Sequence, residues 1–286
     1  MTVRQRISHR LRPRAAGRFQ ARGTAFVFSG GGTYGAMQLG QVRALFNAGI
    51  TPDMVVGTSI GAINATALAA DPTPNGLQRL VDIWMQMRTE DIFPGGSWKR
   101  ALLAIRRGDH LYSNEGLRRV IACINARRFE DLQIPAHVVA AHLGTGSETV
   151  FDSGPIAPAV LASAALPGVF PPVVIDGEPY TDGGVVNNTP ISVAVAAGAT
   201  KIFVINCGHT NQVQREVRRP LDVMVQAFAH SRASRVDHDL ERFAKVAKIK
   251  RIPVSDPPIM RYDDLSHTAA LIEQAEAETT AWLRSR

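Results

Sequence analysis

The stretch Met54-Val55-Val56-Gly57-Thr58-Ser59-Ile60-Gly61-Ala62 decides how this chain is read. Its apolar start predicts a short buried strand, and Ala62 to Ala70 continues it as a helix of small residues. Between them stands a Gly-x-Ser-x-Gly turn. A serine at such a strand-to-helix turn sits on strained backbone with its hydroxyl exposed. Gly57 and Gly61 fit because a side chain at either place would meet the neighbouring strand or helix. Ser59 is therefore the candidate nucleophile, and the competing reading is an ordinary tight turn.

Upstream, Thr24-Ala25-Phe26-Val27-Phe28-Ser29 reads as another buried strand. Gly30 to Gly35 break it. Leu39, Val42, Leu45 and Phe46 then recur at helical spacing until Gly49 supplies a stop. Two strand–helix units in succession predict parallel strands joined by right-handed crossovers. Further strands are expected at Ala136 to Ala141, Thr149 to Asp152, Val173 to Ile175 and Lys201 to Asn206. Helices are expected at Asn114 to Asn125, Ala157 to Ala164, Pro190 to Ala197, Leu221 to Val246 and Ser266 to Leu283, with Asn114, Thr189 and Ser266 as N-caps. The fold class is α/β, as a three-layer α/β/α arrangement around a mostly parallel central sheet. One domain is expected over 23–286, its motif-bearing core at 24–205 and a helical C-terminal part at 220–286.

Composition narrows the function. The chain has 286 residues, 45% apolar and 20% charged, so a globular core is within reach. Its net charge of +7 is local: Arg4, Arg6, Arg10, Arg12, Arg14, Arg18 and Arg22 all fall in residues 1–22, which contain no acid. Setting those seven aside leaves 25 of the 32 Lys and Arg against 25 Asp and Glu, a neutral body. A basic nucleic-acid-binding body is excluded. Residues 1–22 read as an Arg-rich flexible leader, with an electrostatic foot on anionic lipid as the sharper alternative. No run is long and apolar enough to span a bilayer. Cys123 and Cys207 form no metal or redox spacing, so neither a metal nor another cofactor is expected, and the setting expected is cytoplasmic.

Ser29-Gly30-Gly31-Gly32-Thr33-Tyr34-Gly35 lies between the first strand and its helix. Consecutive glycines let backbone N–H groups gather at a helix start, where negative charge is favoured. A P-loop would need a Gly-Lys-Ser/Thr ending, which is absent. A dinucleotide fingerprint would need an acid at the end of the second strand, where the serine turn stands instead. An oxyanion hole is the better fit. For the base, a triad would use a histidine downstream, with His209 and His230 as candidates. The alternative is a carboxylate, Asp182, followed by Gly183 and Gly184, whose lack of side chains permits close backbone approach. Alone, Asp182 would read as a turn residue.

In order and spacing these elements resemble the patatin-like phospholipase family. The match comprises the glycine loop (Gly30, Gly31, Gly32, Gly35), the Ser59 turn flanked by Gly57 and Gly61, and the Asp182-Gly183-Gly184 motif. It includes the block from Ala162 to Pro172, and the Asp263 to Thr268 segment is similar to bacterial members. The resemblance implies the patatin-like fold and a Ser-Asp dyad: Ser59 as nucleophile, Asp182 as base, and an oxyanion hole from Gly30, Gly31, Gly32, Thr33 and Gly35. The implied reaction is hydrolysis of lipid carboxylic esters, of phospholipase A, lysophospholipase or lipid esterase type, through an acyl-Ser59 intermediate. Tyr34 departs from the Arg or Lys that many members carry at that place.

Acyl transfer by the same dyad, a non-catalytic lipid-binding protein and a nucleotide-dependent enzyme are the rival readings. Residues 87–113 read as a variable cap. If helical, it places Trp98, Leu102 and Ile105 on one face and Lys99, Arg100, Arg106 and Arg107 on the other, with Phe93 to Gly96 as a hinge. Residues 98–107 and the leader are the candidates for peripheral membrane contact. Met224, Phe228 and Phe243 read as core packing.

Overall fold

Along strand β1 (Thr24–Phe28), Phe26 and Phe28 enter one apolar layer while Ala25 and Val27 enter another. Strand β2 (Met54–Thr58) repeats this, with Val55 on the first side and Met54 and Val56 on the second. A strand apolar on both faces has to be covered on both, which is the logic of a buried parallel sheet. The computed structural model describes residues 23–94, 110–207, 223, 235–255, 260 and 263–286. The first layer holds α1 (Ala36–Asn47), α2 (Ile60–Ala70), α3 (Pro74–Gln86), a short α4 (Thr89–Ile92), α5 (Glu115–Ala122), α6 (Ile156–Ser163) and α9 (Thr268–Arg284). The second holds α7 (Ile191–Ala196) and α8 (235–243).

The sheet order is β5-β6-β3-β2-β1-β7-β8, with β4 attached to β3. Here β3 is Ala136–His142, β4 Glu148–Phe151, β5 Val173–Ile175, β6 Glu178–Asp182, β7 Lys201–Ile205 and β8 Lys248–Arg251. Strands β3, β2, β1, β7 and β8 are mutually parallel, and β4, β5 and β6 pair antiparallel. From β1 the chain steps towards β3 with helices on one face, and from β7 to β8 it steps the other way with α8 on the opposite face. Keeping one crossover hand demands this change of face. The reversal lies between β1 and β7, and ligands of open α/β sheets bind beyond the carboxyl ends of strands at such a point.

One feature of the register positions the site. Strand β2 pairs with β3 along Ala136–Val139, and β6 pairs with β3 along Ala140–His142. Since β4 occupies the opposite edge of β3, β2 and β6 share one edge and run head-on towards each other. Thr58 lies opposite Val139, and Asp182 lies opposite its neighbour Ala140.

Some expectations need correction. Helix α3 escaped the reading, although Thr73-Pro74 marks its start and the Thr73 hydroxyl caps the Gly76 N–H at 3.1 Å. Strand β6 was also missed. It joins β5 through Asp176-Gly177, with φ values of 52° and 85°, the two-residue turn that builds a hairpin. The helix expected over 221–246 is described at 223 and 235–243, and it ends before β8, whose lysines suit an edge strand among the described residues. Pro190 and His267, rather than Thr189 and Ser266, immediately precede α7 and α9. Asn114 precedes α5, but its side chain accepts from Arg118 instead of capping. The Arg-rich leader, residues 98–107, Gly95, Gly96, His209, Met224, Phe228 and His230 lie outside the described residues. Phe93 packs on Tyr112 and Phe170, at ring separations of 5.2 and 5.7 Å. Phe243 packs against the second core layer. No helix among the described residues is long and apolar enough to cross a membrane.

Candidate active site

The head-on meeting of β2 and β6 delivers two side chains to one point. Ser59 follows β2 with φ 58° and ψ −128°, a left-handed conformation that costs a non-glycine residue about 1–3 kcal/mol. The surroundings enforce it. A Cβ at Gly57 would lie 2.4 Å from the Gly61 carbonyl oxygen, and one at Gly61 would lie 2.5 Å from that of Phe28. Strand, turn and helix therefore cross at backbone contact. The Ser59 hydroxyl donates to Asp182 Oδ2 at 2.6 Å, across 123 residues of sequence.

Asp182 is buried, at 1% exposure. Its Oδ1 accepts the Gly184 N–H at 2.7 Å, which leaves Oδ2 aimed at the serine. Its own N–H donates to the Ala165 carbonyl at 2.9 Å. Gly183 passes so close to β3 that a Cβ there would lie 2.1 Å from the Val139 oxygen. Both glycines after the aspartate thus have a physical task.

Ser163 ties the pair together. It accepts the Ser59 N–H at 2.9 Å and donates its own proton to the Val139 carbonyl at 2.5 Å. The Thr181 hydroxyl meets Ala165 O at 2.7 Å. The Ala162 to Pro172 block therefore braces both residues of the pair, a role that sequence reading alone did not assign.

The glycine loop faces the pair from β1. The Gly30 N–H is committed to the Asn188 carbonyl at 3.0 Å. A Cβ at Gly30 would come 3.1 Å from Ser59 Cβ, and one at Gly31 would come 2.4 Å from Cys207 Cβ. Gly32 has φ 59°, which a side chain would resist. The N–H groups of Gly31, Gly32 and Thr33 find no partner among the described residues. Gly35 packs against Ile60, where a Cβ would lie 2.5 Å from Ile60 Cγ1, and its carbonyl accepts from Asn64 at 3.0 Å. Gly30 and Gly35 thus seat the loop, with the Gly30 N–H already bonded to Asn188, and the N–H groups without a partner among the described residues are those of 31, 32 and 33.

A buried polar chain holds the loop from behind. Trp84 Nε1 donates to Asn64 Oδ1 at 2.9 Å, Asn64 Nδ2 donates to Gln38 Oε1 at 2.8 Å, and Gln38 Nε2 donates to Ser29 O at 2.7 Å. Gln38 and Asn64 are fully buried, and buried amides persist only when paired. Their signal in the sequence was a polar residue inside an otherwise apolar stretch. Tyr34 accepts the Met260 N–H at 3.0 Å. Burial pushes its phenol above the ordinary value, against the pull of that bond.

Among the described histidines, His137 lies beside Asp152, His142 beside Glu178 and His267 beside Asp264. None of these pairs involves Ser59. Among the described residues no group of three or more His, Cys, Asp or Glu could hold a metal ion.

Known proteins are similar to this chain in sequence. Patatin-like phospholipase domain-containing protein 7 of Rattus norvegicus is 30% identical over 191 residues, covering 66% of this chain and 14% of that protein. Lysophospholipase nte1 of Aspergillus terreus is 28% identical over 201 residues, covering 70% of this chain and 12% of that one. The chain thus spans about a seventh of the length of the curated relatives it matches. The crystal structure of VipD from Legionella pneumophila aligns at a TM-score of 0.49 and 17% identity, over 92% of this chain and 67% of that one. The family model described as patatin-like phospholipase matches residues 26–195, more than half of the sequence, and the chain belongs to that family.

Proposed function

We propose that this chain is a serine acyl hydrolase acting on carboxylic ester bonds of lipids, of the phospholipase A, lysophospholipase or lipid esterase type. The observation that carries the reading is the 2.6 Å hydrogen bond from the strained Ser59 to the buried Asp182. A serine hydroxyl is inert at its free pKa and needs an adjacent acceptor. Ser59 Oγ attacks the ester carbonyl carbon while its proton passes to Asp182 Oδ2. The carbonyl electron pair moves onto oxygen, next to the N–H groups of Gly31, Gly32 and Thr33. One such donor is typically worth about 2.7–4 kcal/mol in the transition state. Collapse of the adduct expels the alcohol, which takes the proton from Asp182. Water then attacks the acyl-Ser59, gives its proton to Asp182, and releases the fatty acid as Ser59 is reprotonated.

The lipid part of the reading draws on the relatives, one of which is named a lysophospholipase. Fluorophosphonate labelling with peptide mapping tests the nucleophile without needing the right substrate. Ser59 Oγ should displace fluoride from phosphorus and form a single adduct, lost in Ser59→Ala. No adduct, even with lipid vesicles present, or an adduct on another serine would overturn the assignment.

A further inference from the structure

Beyond the Ser59–Asp182 pair the sheet carries an apolar row that no other described residue covers. The Leu143 N–H donates to Pro179 O at 2.8 Å, extending the β3–β6 ladder one residue past the His142–Tyr180 pair. Pro179 faces Val174 across the β5–β6 hairpin. Directly opposed residues share a sheet face, so Leu143, Pro179 and Val174 form one row across three strands. Leu143 is 51% exposed and Val174 66%. The opposite face of these strands is occupied: Val173 is buried, Phe151 packs edge-on against Tyr180 at 5.3 Å, and His142 pairs with Glu178.

Place and charge say what the row fits. Strand β3 runs parallel to β2, and Leu143 lies four positions past Val139, the partner of Thr58. At roughly 3.3 Å per residue the row projects about 13 Å beyond the serine turn, at the end of the sheet where Ser59 lies. Residues 143–148 and 173–182 contain no Lys or Arg, Asp176 is exposed at the hairpin turn beside the row, and the Arg235 guanidinium near this edge is paired with Glu148 at 3.5 Å. An anionic surface would be repelled there, whereas a neutral one would be met by apolar side chains.

We propose that the Leu143–Pro179–Val174 row is the face by which this protein settles on an uncharged or zwitterionic lipid surface, bringing the Ser59 end to lipid esters. The inference rests on the lipid-ester reading above. It differs from attachment through the Arg-rich leader in a measurable way: apolar contact is insensitive to salt, whereas polybasic attachment needs anionic lipid and is screened.

The test is flotation of the full chain with phosphatidylcholine vesicles, beside turnover of a water-soluble ester by the same preparations. Wild type should float at low and high salt alike. Leu143→Asp combined with Val174→Asp should reduce vesicle partitioning roughly tenfold or more, with soluble-ester turnover and melting temperature little changed. Val174→Asp alone, at an exposed position, should give a smaller loss in the same direction. Ser59→Ala should float like wild type, so a failure of the chemistry and a failure of the docking face are read separately. Unchanged flotation of the double variant would overturn the proposal. So would binding confined to anionic vesicles and abolished by salt. A wild-type dimer in light scattering that the double variant loses would assign the row to a second copy instead.

Discussion

The serine turn and the glycine loop are built on the same plan and arrive at opposite ends. Each follows a parallel strand and leads into a helix, and the two lie side by side at the carboxyl edge of the sheet. At the serine turn the backbone is committed: Ser59 N–H is held by Ser163, and the flanking glycines are in backbone contact with their neighbours. What is offered there is a side chain. At the glycine loop the polar side chains do the holding, through Gln38 and Asn64, and three backbone N–H groups are left without a partner among the described residues. A nucleophile requires one oxygen in one position, so its backbone can be tied down. A cradle for developing negative charge requires donors with no other obligation, because a donor already bonded in the resting state gains nothing in the transition state.

That contrast can be attacked at either end. The largest effect is expected at the serine turn, where Ser59→Ala or Asp182→Asn should each lower soluble-ester turnover by about 10⁴-fold or more. The double variant should be no worse than the singles, because both remove the same proton transfer. An Asp182→Asn enzyme within tenfold of wild type would dissolve the pair.

Gly31→Ala tests the loop. The new methyl would collide with Cys207 and push the donors out of place, at a cost of about 10²-fold in kcat. Cys207→Gly removes the atoms in collision, so adding it should recover part of that loss in the same assay. Absence of rescue would mean that the loop is disturbed by something other than this contact.

Ser163→Ala is expected to have a smaller effect on chemistry and a clear one on stability. It leaves the Ser59 N–H and the Val139 carbonyl without their partner, which should cost about 1–3 kcal/mol in urea unfolding. A neutral result would mean that the turn is held by its glycines alone.

The smallest effect lies away from the site and serves as a baseline. Burial holds the His137 imidazole below its ordinary pKa, with Asp152 pulling the other way. As pH falls, the unfolded chain takes up this proton first. The stability that His137 contributes is complete above about pH 6.5 and is lost as the pH drops through the lower folded value. His137→Gln should flatten this segment of the urea-midpoint profile and leave ester turnover at pH 8 unchanged.

The legible parts of the site were the local ones. Gly57, Ser59 and Gly61 lie within five residues, and the glycines between Gly30 and Gly35 lie within six, so spacing alone signals close backbone crossings. Asp182 was legible only through the company it keeps, since an Asp-Gly pair alone is common turn chemistry. Ser163 and Asn188 passed unnoticed as working residues because their partners are 104 and 158 positions away. The bond from the Gly30 N–H to the Asn188 carbonyl was hidden for the same reason, since nothing near Gly30 in sequence points to Asn188.

What the sequence determined by itself was the set of strand–turn–helix units, the apolar alternation that demands covering on both sheet faces, and the places where only glycine fits. These follow from sterics and short-range periodicity, which act within a few residues. The tertiary structure alone decided that β2 and β6 meet head-on along one edge of β3, and so that Ser59 faces Asp182. It also decided which amides are spent and which apolar row stands exposed among the described residues. Strand register and hydrogen-bond allotment are settled by competition among partners far apart in the chain, and that competition has an outcome only once all of them are in place.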